Sequence, residues 1–207
     1  MHIYIIRHGE TNANTEGRLQ GWMDIPLNHE GERLAVITGE ALRGTKFDAA
    51  FSSPLGRARR TAELVLSHSG NGNVPVQPDD RIKEICCGTM EGCCLRDHHA
   101  SVDGFFKNPL SFGRFPQGES VPEVCARTQA FLRELATKPY ENVLIATHAC
   151  ALRAMLNFLY ENPEDFWHGH PPYNCAVSIV EAKDGQLTLV ADDRIYYDPA
   201  DCVDRFR

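Results

Sequence analysis

Alternation is the strongest constraint in this chain. Residues 2–6 form a short β-rich run, 30–42 reads as a helix closed by Gly44, and 48–52 is a second strand. Residues 54–67 place Leu55, Ala58, Ala62 and Val65 on one helical face, with Ser53 as N-cap and Pro54 as the first helical residue. Residues 120–138 space Val121, Val124, Thr128, Phe131, Leu132 and Leu135 as a helix. Residues 142–147 are an apolar strand, and 150–160 continue as a helix. Near the end, 176–182 and 186–192 flank Asp184-Gly185, a hairpin signal. Strands separated by helices predict an α/β fold with a mostly parallel central sheet, and the hairpin adds an antiparallel edge. Residues 96–117 break the pattern. Phe105, Phe106, Phe112 and Phe115 stand there among Gly, Pro, His and Asn, which reads as a lid-like insertion or a satellite cluster.

The chain has 207 residues, the length of a single domain, and 43% of them are hydrophobic, enough for a core without disulfide or metal staples. A net charge of −7 argues against nucleic acid and anionic membrane surfaces as partners. No apolar run approaches the roughly 20 residues of a membrane span, and residues 1–6 are too short for a signal peptide. A cytoplasmic location follows as the expectation. Eight cysteines without a secretion signal are expected to be reduced. Cys86-Cys87 and Cys93-Cys94 are vicinal pairs rather than the C-x-x-C spacing of zinc sites. Cys125, Cys150 and Cys175 sit in apolar patterns as small hydrophobes.

In open α/β sheets, ligands bind beyond the carboxyl ends of strands. The first strand ends in Arg7-His8-Gly9-Glu10-Thr11, the second in Ser52-Ser53-Pro54 with Arg57 just after, and the apolar strand in Thr147-His148. Two guanidiniums and two imidazoles thus gather at neighbouring strand ends. Such a set repels itself without an anion, and a phosphate carrying about −1.5 to −2 charges is the natural guest.

These residues resemble the signature of the histidine phosphatase superfamily, the phosphoglycerate mutase-like proteins. Arg7-His8-Gly9-Glu10-Thr11 with Asn14 resembles its first motif. Gln20-Gly21 with Asp24, Pro26-Leu27 and Gly31 is similar to a second block, and Ser52-Ser53-Pro54-Leu55 with Arg57-Ala58 and Thr61-Ala62 to a third. Glu84, Gly88 and Glu91-Gly92, then Gly118-Glu119-Ser120 with Arg127, and finally His148 complete the order.

The resemblance implies a three-layer α/β/α sandwich of the phosphoglycerate mutase-like type. It implies that His8 is the nucleophile of a phosphohistidine intermediate, that Arg7, Arg57 and His148 clamp the phosphoryl oxygens, and that Glu84 is the general acid and base. Thr11, Asn14, Gln20, Gly21 and Ala149 are the substrate-binding positions it carries. No metal or other cofactor is expected, since the cationic side chains supply the charge a metal would bring. Ala149 stands where the family pattern has Gly, which would strain the chain if that position needs a positive φ.

The expected activity is hydrolysis of a small phosphomonoester, with a pattern closest to the branch holding alpha-ribazole phosphatases and broad-specificity phosphatases. The glycolytic mutases have Arg-His-Tyr-Gly after the glutamate, whereas Ile85-Cys86-Cys87-Gly88 offers no cation or phenol to grip a carboxylate. Mutase-type transfer, a catalytically silent phosphate-binding protein and a thiol or zinc protein are the alternatives. Self-association as a homodimer is left open. Trp22, the Phe105–Phe115 aromatics and Phe166-Trp167 are candidates for the mouth of the site, His168 and His170 read as surface residues, and Asn174 as a turn residue.

Overall fold

The computed structural model describes residues 1–97 and 99–201, with backbone alone at 99–101. It contains one six-stranded sheet in the order β3-β2-β4-β1-β5-β6. The strands are β1 (His2–Arg7), β2 (Ala49–Ser52), β3 (Val76–Pro78), β4 (Asn142–Thr147), β5 (Val177–Lys183) and β6 (Gln186–Arg194). Strands β3, β2, β4 and β1 run parallel, while β5 pairs antiparallel with β1 and β6 with β5. The mixed α/β sheet expected from the sequence is therefore present, and its antiparallel edge is the hairpin around Asp184-Gly185.

Side chains alternate across a strand, so each central strand feeds two cores. On one face Ile6, Ala50, Leu144 and Val177 pack with Leu34, Ala58, Ala62 and Val65, which belong to α2 (His29–Ala41) and α3 (Gly56–His68). On the other, Ile3, Ile5, Val143 and Ile145 pack with Phe131, Leu132, Leu152 and Met155, from α5 (Val121–Leu135) and α6 (Ala149–Leu156). Helices thus cover both faces, as parallel strands require.

A short α1 (Asn12–Glu16) and an α4 (His99–Lys107) were not anticipated from the sequence. Helix α4 lies inside the 96–117 segment. Phe105 meets Phe106, Phe112, Phe115 and Trp167 edge-on at 5.1–5.7 Å between ring centroids, within a third apolar cluster. Helix boundaries also differ from the reading above, most clearly in α3 and α6. Helix α3 begins at Gly56 with Leu55 as N-cap, so Ser53 is not the cap and Pro54 lies outside the helix. Helix α6 stops at Leu156 and tightens into a 3-10 turn over Asn157–Leu159. No helix among the described residues is long and apolar enough to cross a membrane.

Candidate active site

Strand register brings the charged residues together. Arg7 of β1 lies opposite Thr147 of β4, and Ser52 of β2 opposite Ala146. The next residues, His8, His148 and Ser53, leave the sheet side by side. The His8 amide still reaches the Thr147 carbonyl at 2.9 Å, and the Ser53 amide reaches Ala146 at 3.0 Å. The His8 and His148 rings stand 5.1 Å apart between centroids.

His8 is held in one tautomer. Its Nδ1 lies 2.7 Å from the Gly9 carbonyl, which can only accept, so Nδ1 carries the proton and Nε2 keeps a bare lone pair. Burial, then the charges of Arg57 and Arg7, push the imidazole well below its ordinary 6.5, so it is neutral at physiological pH. The Asn174 side-chain amide donates to the His8 carbonyl at 3.0 Å, and the Gly9 amide donates to Thr61 Oγ1 at 3.0 Å. Gly9 has no room for a side chain: a Cβ there would lie 2.4 Å from the Gly31 carbonyl oxygen of helix α2.

The two guanidiniums are fastened at their tips. Arg57 donates to the Met23 and Gly21 carbonyls at 2.7 and 2.8 Å, and Arg7 Nη1 donates to the Pro172 carbonyl. The Nε–H of each is buried without a partner, as is Nδ1 of His148. Burial pushes Arg57 down to about 10, which leaves it charged at neutral pH. His148 Nε2 contacts the Ser53 hydroxyl at 2.8 Å, and burial followed by Arg57 lowers its pKa well below 6.5. Unpaired buried donors beside fixed positive charge are costly alone and favourable around an anion.

Among the described residues, Glu84 supplies the one carboxylate on the cleft wall. Its Oε1 accepts from Ile85 N at 2.9 Å and Ala151 N at 3.1 Å, and Oε2 accepts from Cys150 N at 3.3 Å. The carboxylate therefore sits on the first turn of α6. The start of that helix carries Ala149 on the cleft wall; Ala149 is absent from the positive-φ residues, so the alanine there carries no backbone strain.

The cleft measures about 570 Å³ including its open mouth. Arg7, His8, Asn14, Gln20, Gly21, Arg57, Glu84 and Ala149 line it, so eight of the ten residues singled out from the sequence meet on one surface. The other two stand behind it. Thr11 is wholly buried and holds its neighbours: its hydroxyl donates to Gln20 Oε1 at 3.0 Å, and its amide to Asn14 Oδ1 at 3.1 Å. Both amide side chains thereby spend their oxygens internally, leaving their NH₂ groups as the ends able to donate. His148 is also wholly buried, beside His8 rather than on the wall.

The remaining walls are apolar. Leu19, Ile85, Leu95, Phe105, Phe106 and Trp167 surround the opening. Phe112, Phe115 and Phe166 belong to the packed cluster instead, and Trp22 donates its Nε1–H to the Glu84 carbonyl at 2.7 Å without joining the wall. Asn174 lies in the turn before β5, as read from the sequence, but it is also buried and bonded to His8. His168 and His170 are half-buried. The His168 ring stacks on Tyr160 at 3.6 Å, and His170 Nε2 lies 3.4 Å from Asp193. Cys87 and Cys150 are buried thiols on the wall whose pKa burial raises, Cys86 is half-buried, and Cys202 lies outside the described residues.

Fold and cleft together define an α/β protein that gathers fixed cations and, among the described residues, one carboxylate at its strand ends. Residues 3–193 match the model of the histidine phosphatase superfamily (branch 1), and the chain belongs to that family, whose members are phosphatases and mutases. A Klebsiella pneumoniae protein named probable phosphoglycerate mutase GpmB is 32% identical over 185 residues, covering 87% of this chain and 85% of that one. The solved structure of Bacillus stearothermophilus YhfR superposes with a TM-score of 0.84 at 29% identity, covering 94% of this chain and 97% of the other. An Escherichia coli structure provisionally named alpha-ribazole-5'-P phosphatase gives 0.81 at 26% identity, with 96% and 99% covered.

Proposed function

We propose that this protein is a phosphomonoester hydrolase working through a phosphohistidine on His8. The observation that carries the reading is the His8 ring, neutral, locked by Gly9, and presenting Nε2 beside two guanidiniums with unpaired Nε–H groups. In the first step Nε2 attacks phosphorus, the P–O ester bond breaks, and the Glu84 carboxyl gives its proton to the leaving oxygen. In the second, the Glu84 carboxylate takes a proton from water, the water oxygen attacks phosphorus, and the P–N bond breaks to release orthophosphate and neutral His8. Arg7, Arg57, His148 and the Asn14 and Gln20 amides spread the charge of the transferring group. A Ser53 hydroxyl donating to His148 Nε2 leaves Nδ1–H as the donor toward that charge.

The test is trapping of labelled phosphoenzyme by an alkaline denaturing quench, with His8→Ala as control. The wild type is expected to give an acid-labile adduct, and His8→Ala neither adduct nor turnover, while keeping its far-UV circular dichroism. Turnover by His8→Ala would remove His8 from this role.

Mutase transfer is the second reading, favoured by the name of the Klebsiella relative. Hydrolysis is preferred because the cations on the described cleft wall, Arg7 and Arg57, both serve the phosphoryl end, and the apolar walls offer no grip for a substrate carboxylate. Incubation with 3-phosphoglycerate and catalytic 2,3-bisphosphoglycerate separates the two. Rapid 2-phosphoglycerate formation without phosphate release would favour the mutase. The substrate is taken to be a small metabolite ester whose alcohol portion has an apolar or aromatic face.

A further inference from the structure

We infer that Arg127, paired with Glu119, is the positioning residue that aims Glu84. This rests on the reading of Glu84 as general acid. The segment carrying Glu84 is irregular: a 3-10 turn covers Asp80–Ile82, and no strand or helix follows until the next such turn begins at Gly88. Its carbonyls therefore have no ladder to satisfy them, and the backbone needs donors from outside.

Arg127 of α5 supplies them. Nη1 donates to the Arg81 and Lys83 carbonyls at 2.8 and 2.7 Å, and Nη2 to the Glu84 carbonyl at 2.9 Å. Nε and Nη2 also fork onto the two Glu119 carboxylate oxygens, each at 2.9 Å. All five N–H groups of the guanidinium are thus engaged. Glu119 closes the loop from the other side, accepting the Cys86 amide at 2.9 Å and donating its own amide to the Cys86 carbonyl at 2.9 Å. The Arg127 and Glu119 side chains are only 18% and 19% exposed, so the pair is shielded from competing water.

The backbone on either side of Glu84 is therefore bolted to Arg127 of α5 and to Glu119 just before that helix, while its carboxylate rests on α6. Two fixed points, one behind the residue and one at its tip, leave the side chain a single position relative to His8. Pairing with Glu119 also neutralises Arg127, which explains why a third guanidinium this near the cleft adds no phosphate ligand. A lysine could replace it only in part, because three donors on a point charge cannot span three carbonyls and a carboxylate.

Two substrates test this. An alkyl phosphate needs its oxygen protonated as it leaves, whereas 2,4-dinitrophenyl phosphate expels a stable phenolate unaided. Glu84→Gln calibrates the readout and is expected to lose about 10²–10⁴-fold in kcat/KM on the alkyl ester and far less on the dinitrophenyl ester. Arg127→Gln is expected to show the same selective loss, about 10- to 100-fold on the alkyl ester and under about threefold on the other. Arg127→Lys and Glu119→Gln, the milder variants, are expected to follow with smaller losses and an unchanged circular dichroism spectrum. Equal losses on both esters in these variants would make the pair a structural brace and overturn the inference. No leaving-group selectivity in Glu84→Gln itself would overturn the general-acid reading, and the inference with it.

Discussion

His8 and His148 illustrate how a residue's chemistry depends on what surrounds it. Each is buried next to Arg57, and each imidazole is held well below the ordinary 6.5. As pH falls below that value the unfolded chain takes up protons on these rings while the folded one does not. Their contribution to stability is therefore present above about pH 6.5 and is lost as pH falls from there toward the lowered folded values. The melting temperature is expected to drop between pH 7 and pH 5, and His148→Asn to flatten that dependence; a slope unchanged in the variant would argue that the ring is protonated in the native state. The acid limb of kcat/KM is expected below 6.5 for the same reason. The cationic and nucleophilic residues Arg7, His8, Arg57 and His148 were legible in the sequence because each lies within a few positions of a strand end, whereas Glu84 was carried by the family resemblance alone. The bond of Asn174 to His8 was not legible, because a single Asn 166 residues from its partner carries no local signal. Thr11 and His148 were found, but not their position behind the wall.

Helices and strands read well where apolar spacing was strong, as in α2, α5 and β4, and poorly where ends depend on distant groups. Helix α3 is the clearest case. The serine and proline before it look like a cap and a first turn, yet the helix opens at Gly56, whose amide donates to Asp24 Oδ1 at 2.7 Å. The carboxylate that caps the helix comes from a loop 32 residues away. Asp24→Ala is expected to cost about 1 kcal/mol in urea unfolding and to lower kcat/KM severalfold, since α3 carries Arg57 in its first turn. A stability loss without any effect on kcat/KM would show that α3 holds its place without this cap. Helix α4 escaped notice because its Gly, His and Asn surroundings read as loop, and burial of Phe105 against Trp167 organises it instead.

At the scale of the molecule, two cores sandwich the sheet and a third cluster roofs the cleft. Phe105 belongs to both roof and wall, being 4% exposed within the cluster and lining the opening. Phe105→Ala is expected to cost about 3–5 kcal/mol in urea unfolding and to reduce kcat/KM more for aromatic than for small polar phosphate esters. Equal reductions for both would show that the aromatic wall does not touch the alcohol portion.

The net charge of −7 set the expectation against polyanions as partners, yet the cleft concentrates Arg7 and Arg57 within an acidic chain. Amino-acid order alone was enough for the α/β alternation and for the cationic strand ends, because periodicity and strand termini are local properties. It could not say that Thr11 and His148 stand behind the wall, that Asp24 caps α3, or that Arg127 bolts down Glu84. Those arrangements are contacts between residues far apart in the chain, and they exist only once the sheet and its helices have packed and brought the partners together.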